Sequence, residues 1–246
     1  MDLARRELDP GIHDYAGLYA YSIEHPRQFW RAVWDFCGIV GKPGETVVEG
    51  FDRLPGARWF PEAQLNFAEN LLRFRDDHPA LVFRAETGQS EQYSYRELYA
   101  AVAKAAAALR GAGIEPGDRV AGFLPNLPEA VIAMLAASSI GTIWSSCSPD
   151  FGVDGVVQRF GQIRPRMLFC AAAHPYNGKQ HDDLGKVREI VQAIDSIEHV
   201  VVVPYLAEDP RIDEIPNAVT YAAFTDNDAQ DMDFERLPFD HPLYIL

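Results

Sequence analysis

Residues 119–150 read RVAGFLPNLPEAVIAMLAASSIGTIWSSCSPD, and their pattern decides the fold class. A short apolar run over 120–124 meets Pro125, Asn126 and Pro128, which read as the end of a strand and the start of a helix. Val131, Met134, Leu135 and Ser138 follow at helical spacing, and Gly141 closes the helix before a second apolar run over 142–144. Strand, helix and strand in roughly thirty residues form a βαβ unit, whose two strands run parallel. The predicted class is α/β, a mostly parallel sheet flanked by helices.

The same grammar continues on both sides. Residues 80–84 and 92–95 flank Thr87-Gly88 as a hairpin. Ser94 stands three residues before Glu97, a capping box that starts a helix running to about Arg110. Its Leu98, Val102, Ala105 and Leu109 share one face, with alanines between them, so this helix should lie flat against a sheet. Gly111, Gly113 and Gly117 follow a helix and precede a strand, the reverse of a phosphate-cradling order, and read as helix capping and a turn. Beyond Asp150 the pattern predicts a helix through Val153, Val156, Val157 and Phe160, a strand over 166–171, a helix over 185–194 and a strand over 199–203. Residues 174–183, HPYNGKQHDD, read as a strand-end loop with Asn177-Gly178 turn chemistry beside Lys179 and two histidines. In a parallel α/β sheet such loops are where ligands tend to bind. Residues 208–236 are acidic and aperiodic, and are expected to form a surface excursion.

At the N-terminal side, residues 14–37 read as helix, a restart at His25-Pro26, and helix. Residues 47–79 are aromatic without a period, with a helix expected near 64–74 and the aromatics serving as a docking surface. We therefore expect residues 1–75 to be a helical and extended N-terminal segment and 76–246 an α/β portion. At the other end, HPLYIL (241–246) begins a strand-like apolar run with no turn or breaker, so the chain is expected to be a fragment.

Composition excludes several classes. With 246 residues, 48% hydrophobic and 24% charged, the chain can bury a sizeable core. No apolar run approaches the roughly 20 residues of a membrane span, and the N-terminus lacks the apolar core of a signal peptide, so the default expectation is cytoplasmic. A net charge of −14 argues against a nucleic-acid or anionic-membrane partner. Cys37, Cys147 and Cys170 are widely separated, which fits neither a disulfide framework nor a zinc site. Cys147, in its SSCS run, reads as a small buried hydrophobe rather than a nucleophile beside His174 or His181. No P-loop, no G-x-S-x-G elbow and no paired-histidine metal motif occurs.

Three stretches carry a resemblance: WFPEAQLNFAENLL (59–72), GFLPNLPEAVIAMLAASSIGTIWSSCSPDFG (122–152) and HVVVVPY (199–205). On these the chain resembles the acetoacetate–CoA ligases of the acyl-adenylate-forming superfamily, over nearly its whole length. The resemblance implies the N-terminal part of that superfamily's large domain, AMP-binding in type, preceded by a segment of the acetyl-CoA synthetase kind. It implies ATP, Mg²⁺ and coenzyme A as cofactors, and small-molecule substrates as partners together with the C-terminal remainder of the same chain. In this family DHPLYIL enters a strand followed by the lysine-containing loop that holds the ATP phosphates, so the segment alone is expected to be inactive and to contain no catalytic residue and no metal ligand. A basic pair that contacts the CoA phosphate in acetate-activating relatives falls at Tyr176 and Lys179, and only Lys179 keeps the charge. Arg159, on the helix after Asp150, is a second cation in reach, so Lys179 and Arg159 are the expected cofactor-binding residues. Relatives place glycines near Pro149 and Asp150, where the pantetheine arm passes, and this chain departs from them there. Two other readings stay open: a synthetase for acetate, propionate or another short acid, and a non-catalytic α/β module complete at Leu246.

Overall fold

A computed structural model describes residues 1–206 and 210–246. The chain divides into two compact units, Met1–Asn66 with Arg236–His241, and Phe67–Glu235 with Pro242–Leu246.

The first unit begins with a helix that sequence reading did not single out, α1 (Asp2–Glu7). Then come α2 (Tyr15–Glu24) and α3 (Pro26–Phe36), with Asp14 accepting from Gly17 N at the start of α2 and Pro26 opening α3 where its missing N–H costs nothing. Short strands follow: β1 (Gly41–Lys42), β2 (Val48–Glu49), β3 (Arg58–Trp59) and β4 (Gln64–Leu65). β2 pairs antiparallel with β3, while β4 lies between β1 and Leu237–Pro238. Trp34, Val47, Phe60 and Ala63 form its small core.

The second unit opens with α4 (Phe67–Leu71), which corrects the longer helix expected over 64–74. Gln64 and Leu65 are held extended by their ladder partners Lys42 and Gly41, so the helix cannot start before them. A hairpin of β5 (Pro79–Arg84) and β6 (Ser90–Ser94) leads into α5 (Tyr95–Gly111), and both halves of the Ser94–Glu97 capping box are present. After β7 (Arg119–Phe123), α6 (Pro128–Ser139), β8 (Ile143–Cys147), α7 (Val153–Ile163) and β9 (Met167–Ala171) comes a second hairpin, β10 (Ala173–Tyr176) and β11 (Lys179–Asp182). The segment expected as a loop is therefore paired. The unit continues with α8 (Leu184–Ala193), β12 (His199–Val203), β13 (Ala218–Thr220) and α9 (Tyr221–Phe224).

The central sheet runs β13-β12-β9-β7-β8, and every pairing in it is parallel. Side chains alternate strictly between two cores. Met167, Phe169, Ala171, Val201 and Val203 join α5 and α6 on one face, whereas Leu168, Cys170, Val200 and Val202 join α7 and α8 on the other. Burial on both faces explains why these strands read as unbroken apolar runs. Part of the stretch expected as a surface excursion instead adds to the sheet: β13 pairs with Val200, Val201 and Val202, and Ile215 is buried; Glu208 and Asp209 lie outside the described residues. Beyond β8, Trp144 N donates to Leu243 O and Ile245 N to Trp144 O, an isolated parallel bridge between Trp144 and Tyr244.

Candidate functional site

The strand order places a topological switch at one spot. The chain leaves β7 through α6 to β8 on one side, and leaves β9 through α8 to β12 on the other, although β7 and β9 are neighbours with Phe123 beside Cys170. Connections that diverge in this way open a crevice at the carboxyl ends of the two strands, the usual binding location in open α/β sheets. Residues 124–127 and 148–152 are loops at that edge, and the β10–β11 hairpin follows β9 there.

The hairpin β10–β11 is shaped by its turn. Asn177 and Gly178 both have positive φ, 51° and 72°, a combination that Asn-Gly adopts readily and that matches the twist of two paired strands. The register sets His174 opposite His181 and Tyr176 opposite Lys179, so alternation puts all four on one face of the hairpin. The two imidazoles stack with centroids 5.2 Å apart.

Behind this hairpin lies a buried polar cluster. Asp183, fully buried, accepts from His174 Nδ1 at 2.5 Å through one carboxylate oxygen and from Lys186 Nζ at 3.1 Å through the other. Each of those donors also reaches the loop after β8. Lys186 Nζ donates to Pro149 O at 2.8 Å, and His174 Nε2 lies 3.6 Å from Asp150 Oδ1. The loop is folded on itself as well, with Ser148 Oγ donating to Asp150 Oδ2 at 2.8 Å. Sequence reading noticed the histidines but not Asp183 or Lys186; the spacing Asp183-x-x-Lys186 at the start of a helix was the available signal.

The two expected cations sit on different elements. Lys179 is exposed at the start of β11, beside the turn. Arg159 lies on α7, where its guanidinium covers the Phe151 ring at 4.4 Å and donates to Gly155 O at 2.9 Å. Tyr176, the departure from the basic pair, is exposed beside Lys179. Cys147 is buried, and burial pushes its thiol up, with the Arg159 charge opposing. Among the described residues, no group of three or more His, Cys, Asp or Glu side chains is arranged to hold a metal ion.

An open parallel sheet with a switch-point crevice and a helical N-terminal unit agrees with comparison to known families. The chain belongs to the AMP-binding enzyme family, whose model matches residues 67–246, and the model of the acetyl-coenzyme A synthetase N-terminus matches residues 15–71. It is 45% identical to acetoacetyl-coenzyme A synthetase of Rhizobium meliloti (strain 1021) over 235 residues, covering 95% of this chain and 36% of that protein. It is 43% identical to acetoacetyl-CoA synthetase of Danio rerio, covering 99% of this chain and 38% of that protein. The solved structure of acetoacetyl-CoA synthetase from Streptomyces lividans matches with a TM-score of 0.91 at 37% identity, over 99% of this chain and 38% of that one. The chain thus spans a little over a third of the length of the relatives it matches.

Proposed function

We propose that this chain is the N-terminal portion of an ATP-dependent acetoacetate–CoA ligase of the cytoplasm. The observation that carries this reading is the 45% identity to an acetoacetyl-coenzyme A synthetase across 95% of the chain. Residues 1–75 are taken as the N-terminal segment and 76–246 as part of the AMP-binding domain. The whole protein would join acetoacetate to the α-phosphate of ATP with release of pyrophosphate, and then exchange AMP for the thiol of coenzyme A. A carboxylate has no good leaving group, which is why activation must precede thiol attack.

Within this reading, the present residues bind and orient rather than react. Lys179 and Arg159 are assigned to the phosphates of coenzyme A, where a cation supplies charge neutralisation and position. Arg159 reaches back over Phe151 in the loop after β8, and Lys179 is exposed as such a contact requires. None of the described residues is assigned to Mg²⁺. The test is pyrophosphate exchange into ATP by the full-length protein. Exchange should depend on acetoacetate and fall roughly tenfold or more with acetate; acetate or propionate performing equally well would shift the reading to another short-acid synthetase, and no exchange with any of them would end it.

A further inference from the structure

The carboxylate of Asp183 is the hub of a two-armed clamp. One oxygen holds His174 on β10 and the other holds Lys186 on α8, and both donors reach across to adjacent residues of the β8–α7 loop, Asp150 and Pro149. Three pieces of chain are tied through one buried side chain: the loop immediately before α7, the first strand of the hairpin, and the start of α8. A buried carboxylate without partners is costly, whereas one whose two oxygens are both satisfied is a rigid anchor.

The clamped pieces are those that carry the two cations. α7 begins at Val153, directly after the pinned loop, and bears Arg159; the hairpin is tethered at His174 and ends into Asp183, and bears Lys179 at its turn. The two cations sit on separate elements, so their spacing depends on how those elements are joined. We infer that the Asp183–His174–Lys186 cluster is a positioning device that sets Arg159 relative to Lys179, and so tunes affinity for the polyphosphate end of the thiol substrate. The inference rests on the ligase reading above for its ligand, and on geometry alone for the clamp. Asp183, His174 and Lys186 are positioning residues, as none is assigned a contact with the substrate.

The experiment uses the full-length protein carrying Lys186→Met, Lys186→Arg or Asp150→Ala. Asp150→Ala removes an exposed carboxylate, losing its approach to His174 and the hydrogen bond from Ser148, and leaves the buried Asp183–His174 pair in place. Lys186→Met should raise the KM for coenzyme A roughly three- to tenfold while acetoacetate-dependent pyrophosphate exchange stays within about twofold; Asp150→Ala should do the same more weakly, and Lys186→Arg, which keeps a donor, should recover most of the loss. Amide hydrogen exchange over residues 148–152 should rise roughly tenfold in Lys186→Met with the sheet unaffected. An unchanged KM with unchanged local exchange overturns the proposal, as does an equal fall in both half-reactions. If the unsubstituted protein shows no pyrophosphate exchange with any short acid, the ligase reading fails by itself, and amide exchange then decides the clamp: a local rise in Lys186→Met upholds it and no rise overturns it.

Discussion

Gly122 on β7 packs against the ring of Trp144 on β8 with no room for a methyl group. A Cβ placed on Gly122 would meet Trp144 Cζ2 at 2.6 Å and Cη2 at 2.8 Å. The glycine lets a large aromatic lie across the sheet, where it joins the α5–α6 core and its backbone bonds Leu243 and Ile245. Gly122→Ala is therefore expected to destabilise the unit by about 1–3 kcal/mol, the usual cost of overpacking. The denaturant midpoint should fall with an unchanged slope, and the near-ultraviolet tryptophan signal should change with it.

At the amino end of β9, Arg166 ties three chain segments together. Its guanidinium donates to Asp118 at 2.6 Å, to both oxygens of Glu198 at 2.6 and 3.1 Å, and to Gly113 O at 2.9 Å. The hydrogen bonds from Arg166 hold the Glu198 carboxyl below its ordinary range. A folded-state value below the unfolded one gives stability that is present above the unfolded carboxylate range and lost as pH falls through the folded value. Arg166→Met should cost roughly 1–2 kcal/mol at neutral pH, a figure already discounted because Glu198 is half exposed. Thermal melts from pH 7 down to acid should show the difference from the unsubstituted chain shrinking; a constant difference would assign the effect to packing.

Most of the sheet was legible because strands buried on both faces leave apolar runs that helices interrupt at regular spacing, as in residues 119–150. The hairpin at 173–182 was not, since β11 is exposed at all four residues and Lys-Gln-His-Asp has no apolar alternation to betray a strand. Only the turn chemistry of Asn177-Gly178 pointed to it. β13 was hidden for a similar reason, being three residues at a sheet edge inside an acidic stretch. The cluster around Asp183 was illegible because its contacts span the fold: Lys186 meets Pro149 across 37 positions, and no local pattern encodes that. Lys179 and Arg159 were legible as cations, but their different settings, one exposed beside a turn and one laid over Phe151, came only from the structure.

Glu129, in the first turn of α6, has its carboxyl pushed up by burial, with Glu91 adding repulsion and its own backbone N–H opposing. Raised above its unfolded value, the group favours folding most below the unfolded carboxylate range, and that contribution is lost as pH rises through the folded value. Glu129→Gln removes the buried charge, but it also removes a favourable helix-dipole interaction of roughly 0.3–1 kcal/mol. The net gain at neutral pH should thus be small and positive and should vanish in acid. Paired melts at pH 4 and pH 8 check this, and a variant less stable at pH 8 would contradict it.

The three cysteines should separate cleanly by reactivity. Cys37 is exposed, whereas Cys147 and Cys170 are buried with thiols pushed up by desolvation, and thiolate is the reactive form. A maleimide under native conditions should modify one site quickly, at Cys37, and the other two only on unfolding, as read by peptide mass. The Arg159 charge opposes the upward shift of Cys147, so Arg159→Ala should slow any residual labelling there further. Rapid native labelling of Cys147 would instead mean an activated thiol at the carboxyl edge of β8, and would reopen the nucleophile reading beside His174.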